Sequence, residues 1–145
     1  MTYPQFPIYS YMRVDPVLIN DIEKAINGEY GAIICYEQLA KIAPTKKERE
    51  RILEIRKDEI KHYQTFSTIY ANLTGKQFEA SVSEKCPNTY KEGLQVAIED
   101  EQETVDFYLD ISDKAQDLYT KEAFRRAAAD EQNHAVWFLY FYNDL

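Results

Sequence analysis

The chain repeats itself at an interval of 72 residues, and the repeat is marked by acids and histidines at helical spacing. Its two histidines each close the same pattern, Asp58-Glu59-x-x-His62 and Asp130-Glu131-x-x-His134. The same shift lays Ala25-Ile26 on Ala97-Ile98, Glu29 on Glu101, Tyr36 on Tyr108 and Ala43 on Ala115. The chain is therefore an internal duplicate. Each unit reads Ala-Ile-x-x-Glu, then a Tyr seven residues after that Glu, then Asp-Glu-x-x-His. One unit supplies two glutamates and one imidazole, and the pair supplies four and two.

Punctuation and period make both units helical. Asp15-Pro16 forms an N-cap with proline in the first turn, and Pro44 ends that helix. Thr45-Lys46-Lys47-Glu48 is a capping box, and Gly75 stops the helix that it starts. A third helix begins near Asn88 or Thr89 and a fourth near Thr120, so helices are expected at about 16–43, 45–74, 89–118 and 121–143, after an extended aromatic arm over 1–15.

Apolar residues recur at spacings of three and four in each helix, as a buried stripe requires. The second helix carries Ile52, Ile55, Glu59, His62, Phe66, Ile69 and Leu73, and the fourth carries Phe124, Ala127, Glu131, His134, Phe138 and Phe141. The first and third helices read Ile22, Ala25, Glu29, Ala32, Tyr36, Leu39 and Leu94, Ala97, Glu101, Val105, Tyr108, Ile111. A chain of 145 residues with these stripes forms one domain, an all-α antiparallel four-helix bundle made of two helix hairpins. Helices of this length run roughly 42 Å, and the dozen residues from Lys76 to Pro87 reach about 40 Å when extended. That connection is expected to cross the bundle's length, leaving the second and third helices parallel and the hairpins related by a pseudo-twofold axis.

A glutamate sits near the middle of every stripe, which ordinary packing disfavours. Removing an isolated carboxylate from water costs several kcal/mol, and four together also repel one another. Two divalent cations at +4 balance four carboxylates at −4. Neutral imidazoles complete an oxygen-rich set suited to iron or manganese. On a helix, positions i and i+3 project to one side, so each Glu-x-x-His offers both side chains to one metal. The expected metal ligands are Glu29, Glu59, His62, Glu101, Glu131 and His134. Glu37 lies some 80 degrees round the first helix from Glu29, and Glu99 and Glu103 lie about 160 degrees from Glu101. A rotated third helix would bring Glu99 or Glu103 into Glu101's place. Asp58 and Asp130 are expected to accept a hydrogen bond from the imidazole of the opposite unit, fixing its tautomer. Tyr36 and Tyr108 are placed to donate to the carboxylates or to carry an electron, and core filling is the competing role.

A net charge of −8 without an uninterrupted Lys/Arg cluster argues against nucleic acid as partner. Met1 to Ser10 lacks the basic and apolar regions of a signal peptide, and no apolar run is long enough to span a bilayer, so the expected location is cytoplasmic. Cys35 and Cys86 are too scattered for a disulfide framework or a Cys-x-x-Cys pair and are expected to be packing or linker thiols. The arm from Tyr3 to Tyr11 is expected to pack over its own bundle or across a homodimer, and the apolar tail from Ala135 to Tyr142, with Trp137, could extend such an interface.

From Pro16 to Asp144 the sequence resembles the ferritin-like superfamily, and most closely the rubrerythrin family. The resemblance rests on Gly28-Glu29 with Tyr36, on Glu101-x-Glu103 leading to Phe107-Tyr108, and on the two Glu-x-x-His pairs; the Asp-Glu-x-x-His form looks more like bacterioferritin. It implies a ferritin-like bundle with ligand roles on the same six residues and two iron ions per chain, manganese being possible. Rubrerythrins proper append a rubredoxin domain, which has no Cys-x-x-Cys counterpart here, and carry a further glutamate where this chain has Thr104. Electrons are then expected from a separate donor protein. The implied activity is that of a di-iron oxidoreductase in which Fe(II) reduces hydrogen peroxide or dioxygen. A non-catalytic iron-binding module and a manganese catalase-like disproportionation are the alternatives.

Overall fold

The computed structural model describes residues 14–145, so the aromatic arm lies almost wholly outside the described residues. Four helices follow in order: α1 (Pro16–Ile42), α2 (Lys46–Thr74), α3 (Tyr90–Lys114) and α4 (Leu118–Asn143). Each begins at a side-chain cap that satisfies an otherwise unpaired N–H. Asp15 accepts from Val17 N, Thr45 from Glu48 N, Thr89 from Glu92 N and Asp117 from Thr120 N. The Thr45 hydroxyl also donates to Glu48 Oε2 at 2.6 Å. Gly75 closes α2 at φ 73, the left-handed conformation that glycine adopts without penalty.

The boundary between α3 and α4 falls earlier than the sequence suggests. Ala115 is extended (φ −65, ψ 146), and Asp117 caps α4 three residues before the expected start. Ala43 and Asp15-Pro16 show the same logic in the first unit: Ala43, the repeat partner of Ala115, is extended at φ −63, ψ 136, and Thr45, the partner of Asp117, is also an N-cap. The repeat thus extends to the punctuation.

Contacts between helices fix their directions. Tyr36 meets Glu101 and Tyr108 meets Glu29, so α1 and α3 are antiparallel. His62 meets Asp130 and His134 meets Asp58, so α2 and α4 are antiparallel as well. With three-residue links inside each hairpin, α2 and α3 must run parallel. Residues 75–89 accordingly cross the bundle, from Phe78 packed on Tyr70 at the end of α2 to Tyr90, whose hydroxyl donates to Glu48 at the start of α2.

The core divides into two apolar layers. One contains Leu18, Ile22, Ile26, Phe66, Ile69, Ile111 and Phe124; the other contains Leu39, Ile52, Ile55, Leu94, Phe138 and Phe141. Phe66 and Phe124 stack at 4.1 Å between ring centres, and Phe138 packs on Tyr36 at 5.1 Å. Burying each such ring is worth about 1.5–3 kcal/mol. The mid-stripe acids and imidazoles occupy the space between the layers. Trp137 lies outside them, with the Arg51 guanidinium 4.1 Å above its ring. Among the described residues no helix is long and apolar enough to cross a membrane.

Candidate metal centre

Each helix contributes its central glutamate to one buried cluster, because each stripe turns inward at the same height. Glu29, Glu59, Glu101 and Glu131 are all at most 2 % exposed. Glu99 and Glu103 are exposed and stand apart from this cluster, Glu103 at the cavity's α3 wall, and Glu37 lies outside beside Arg56 at 3.8 Å. His62 and His134 are buried on α2 and α4.

The six residues form two overlapping groups. Glu29, Glu59, His62 and Glu131 bring ligand atoms within 4.8 Å of one another, and so do Glu59, Glu101, Glu131 and His134. Glu59 and Glu131 belong to both groups. In the first group His62 Nδ1 lies 2.9 Å from Glu29 Oε2, 3.2 Å from Glu131 Oε1 and 3.3 Å from Glu59 Oε1. In the second, His134 Nδ1 stands farther off, 3.4 Å from Glu59 Oε1 and 3.6 Å from both Glu101 Oε2 and Glu131 Oε1.

Those longer distances leave atoms without partners. Glu59 Oε1, Glu101 Oε2, Glu131 Oε1 and His134 Nδ1 are buried and make no hydrogen bond. A buried polar group with no partner costs about 1–3 kcal/mol, more when charged. Four such atoms converging on one point are what a cation would satisfy, and the carboxylate and imidazole donors suit iron or manganese. The residues therefore fit a bound divalent metal.

A second ring of contacts holds the cluster, and it crosses between the repeats. His62 Nε2 lies 2.8 Å from Asp130 Oδ2, and His134 Nε2 lies 2.8 Å from Asp58 Oδ2. Each aspartate accepts the Nε2 proton and turns Nδ1 toward the glutamates. Tyr36 donates to Glu101 Oε1 at 2.5 Å, and Tyr108 donates to Glu29 Oε1 at 2.7 Å. Burial, reinforced by the neighbouring carboxylates, pushes both phenols above their ordinary range, so they remain protonated donors.

Without metal the cluster balances its charge with protons. Burial, then repulsion from Glu29 and Glu101, raises Glu59 to about 8. Burial also raises Glu29, against hydrogen bonds from His62 and Tyr108, and raises Glu131, with Glu59 adding to it. At His134 burial acts downward but is outweighed by Glu101, Glu59 and Asp58, which bring it to about 9. His62 is raised in the same way, by Asp130, Glu131, Glu29 and Glu59 against burial. Asp130 moves down, since His62 outweighs its partial burial.

A cavity of about 500 Å³ opens beside the cluster between α1, α3 and the crossover. All four glutamates line it and neither histidine does. The carboxylates thus face the cavity while the imidazoles back onto α2 and α4. Gly28, Gly31 and Ala32 form its α1 wall, and a Cβ on either glycine would meet nothing within 4 Å. On the α3 wall Asp100 is raised to about 6 by burial and by Glu103 and Glu84.

The expectation for the cysteines is corrected here. Cys35 and Cys86 are joined in a disulfide, with Cα atoms 5.2 Å apart across 51 residues of sequence. The crossover runs back along α1 and sets residue 86 against residue 35. No spacing motif in the sequence marks that pairing, and glycines offer no ligand atom by which the cavity wall would be recognised.

The family model described as Rubrerythrin matches residues 92–145. Over 141 residues the chain is 50 % identical to the uncharacterized protein YhjR of Bacillus subtilis (strain 168), covering 97 % of each. A solved structure, the hypothetical protein Pfu-1136390-001 from Pyrococcus furiosus, superposes with a TM-score of 0.76 at 21 % identity, covering 89 % of this chain and 90 % of that one, and so shares its fold.

Proposed function

Since the chain belongs to the rubrerythrin family of the ferritin-like superfamily, we propose that its buried cluster holds two iron ions and that the protein is a di-iron oxidoreductase acting on hydrogen peroxide or dioxygen. Manganese would fit the same donors. The observation that carries this reading is the sharing of Glu59 and Glu131 between two four-residue ligand groups, with Glu59 Oε1, Glu131 Oε1, Glu101 Oε2 and His134 Nδ1 buried and without a hydrogen-bond partner. Bound iron supplies two electrons, one from each Fe(II), to a two-electron oxidant.

The protein's own residues supply geometry. Glu29 and His62 would hold one ion and Glu101 and His134 the other, with Glu59 and Glu131 available to both. Asp130 and Asp58 keep both imidazoles in the tautomer that presents Nδ1 inward. Tyr108 and Tyr36 hold one oxygen each of Glu29 and Glu101, so that the second faces the cluster, where Glu29 Oε2 meets His62 Nδ1 and Glu101 Oε2 has no hydrogen-bond partner. The glutamate-lined cavity admits a small oxidant on the carboxylate side, while the aromatic layers above and below exclude bulk water. Loading displaces the protons that the metal-free cluster stores on Glu59 and His134.

Reduction back to the ferrous state falls to a separate donor protein, in a cytoplasmic setting. A homodimer would cover the exposed Val136, Leu139 and Tyr140 of α4. The test is an anaerobic Fe(II) titration of the metal-free protein, followed by peroxide or air. Two ions bound per chain and prompt near-ultraviolet colour are expected, with the faster oxidant naming the substrate. Failure to bind tightly would remove the metal centre, and binding without oxidation by either agent would leave an iron-holding module.

A further inference from the structure

The crossover is fastened to α1 at two points that bracket the cavity. Ser81 N–H donates to Asn27 Oδ1 at 2.9 Å, and Cys86 is bonded to Cys35. Asn27 and Cys35 are eight residues apart on one helix, about 12 Å along its axis. Between them α1 presents Gly28, Gly31 and Ala32 to the cavity, and above them Ser81 to Lys85 form its rim. Those five rim residues are exposed, so little apolar burial holds them down. Two glycines in mid-helix weaken α1, and alanine would fit at either site without a contact. What the glycines preserve is open space beneath the strap.

We propose that Cys35 and Cys86 form a dithiol–disulfide redox site that latches the crossover over the approach to the glutamates. Both cysteines are half-buried and therefore within reach of a partner dithiol. A thiolate of that partner attacks one sulfur, the Cys35–Cys86 bond breaks and a mixed disulfide forms. The partner's second thiol then displaces the remaining cysteine. Two electrons and two protons pass to Cys35 and Cys86, and the partner leaves as a disulfide; the same exchange in reverse closes the latch. With the bond open, the strap from residue 79 to residue 88 keeps the exposed Ser81–Asn27 hydrogen bond and the packing of Ala80 on the core at its start, and motion of the part beyond them exposes the cavity. Access is open under reducing conditions and restricted under oxidising ones. The latch itself rests on the disulfide and the cavity; its effect on metal traffic rests on the function proposed above.

The experiment compares the full chain in three forms: air-oxidised, reduced with a phosphine and desalted anaerobically, and a C35S/C86S variant. Alkylation and mass spectrometry are expected to find no free thiol in the oxidised form and two after reduction. Amide exchange over residues 79–88 is expected to rise about tenfold on reduction and in the double variant, while central α3 amides stay unchanged. In Co(II)-loaded protein, a chelator is expected to remove the metal about tenfold faster from the double variant than from the oxidised form, and Gly31→Leu, which fills the cavity, is expected to slow removal from both. Two free thiols in air, or equal exchange over 79–88, would overturn the latch. A uniform rise across the whole chain would reduce the bond to a global staple and overturn it too. If Co(II) does not bind, the metal reading fails and the exchange data still decide the latch.

Discussion

Glu59→Gln is expected to stabilise the metal-free protein and to abolish the stabilisation that metal gives. Glu59 is 1 % exposed, and its carboxyl is raised from 4.5 to about 8. A raised carboxyl favours the native state fully below pH 4.5 and loses that contribution as pH climbs toward 8. At pH 7 the native state must hold a proton that the unfolded state has released, at a cost on the order of 3 kcal/mol. Glutamine has nearly the same shape, carries no charge and can donate to a neighbouring carboxylate. The variant should therefore melt higher without metal at pH 7, by roughly 5–10 °C for a domain of this size. The gap should vanish near pH 4.5 and widen toward pH 8. With Co(II) at about a hundred times the dissociation constant, the unsubstituted protein gains about 2.7 kcal/mol for each ion bound. The variant should gain little, because Glu59 belongs to both ligand groups. Scanning calorimetry from pH 4.5 to 8, with and without Co(II), reads both effects, and the exposed Glu54→Gln is the control. A lower metal-free melting temperature for Glu59→Gln would refute the account of burial, and equal gains from metal would remove Glu59 from its shared position.

Four other substitutions test the shell and the layers. Asp130→Asn is expected to weaken metal binding about 10–100-fold, and Asp58→Asn less, because the Asp58 side chain is 48 % exposed against 29 % and water can replace it; competition with a fluorescent chelator measures both, and changes below about twofold in both would sink the role. Tyr108→Phe deletes a buried donor to Glu29 and should cost about 1–3 kcal/mol in urea titrations of metal-loaded protein, while the exposed Tyr119→Phe should cost under about 0.5; equal costs would count against the hydrogen bond. Phe66→Ala removes a ring stacked on Phe124 and packed edge-on against Tyr108, and should cost about 3–5 kcal/mol in the same titration, against about 0.5 or less for Leu118→Ala; a loss below about 1 kcal/mol would contradict the packing described.

The bundle was legible because its signals are local and repeated. N-caps at Asp15, Thr45 and Thr89 mark helix starts through side-chain oxygens that the sequence names directly. The stripes place Glu29, Glu59, Glu101 and Glu131 at buried positions because a helix of fixed pitch leaves few choices. The turn at Asp117 is harder to read, because Thr120 resembles a cap equally well and is instead the donor to it, and the preceding helix ends at Lys114 rather than near 118. The disulfide was not legible: its partners are 51 residues apart, and their meeting depends on the path of a segment without helical period. The cavity was hidden for a different reason, since glycine marks it by the side chain it lacks. A search for chemistry-bearing residues passes over Gly28 and Gly31.

The repeat also shows where the two halves have had to differ. Crossed contacts match in pairs, His62 with Asp130 and His134 with Asp58, Tyr36 with Glu101 and Tyr108 with Glu29. Along the cavity the correspondence fails: the 72-residue shift sets Gly28 against Asp100, Gly31 against Glu103, Ala32 against Thr104 and Cys35 against Phe107. One wall is small and carries the disulfide; the other is acidic and carries an aromatic ring. A duplicated bundle has one crossover but two equivalent helices beside it, so a strap fastened to α1 cannot also be fastened to α3. Symmetry is kept in the buried cluster, where the two ligand groups match, and is lost along the cavity, where one crossover faces unlike walls.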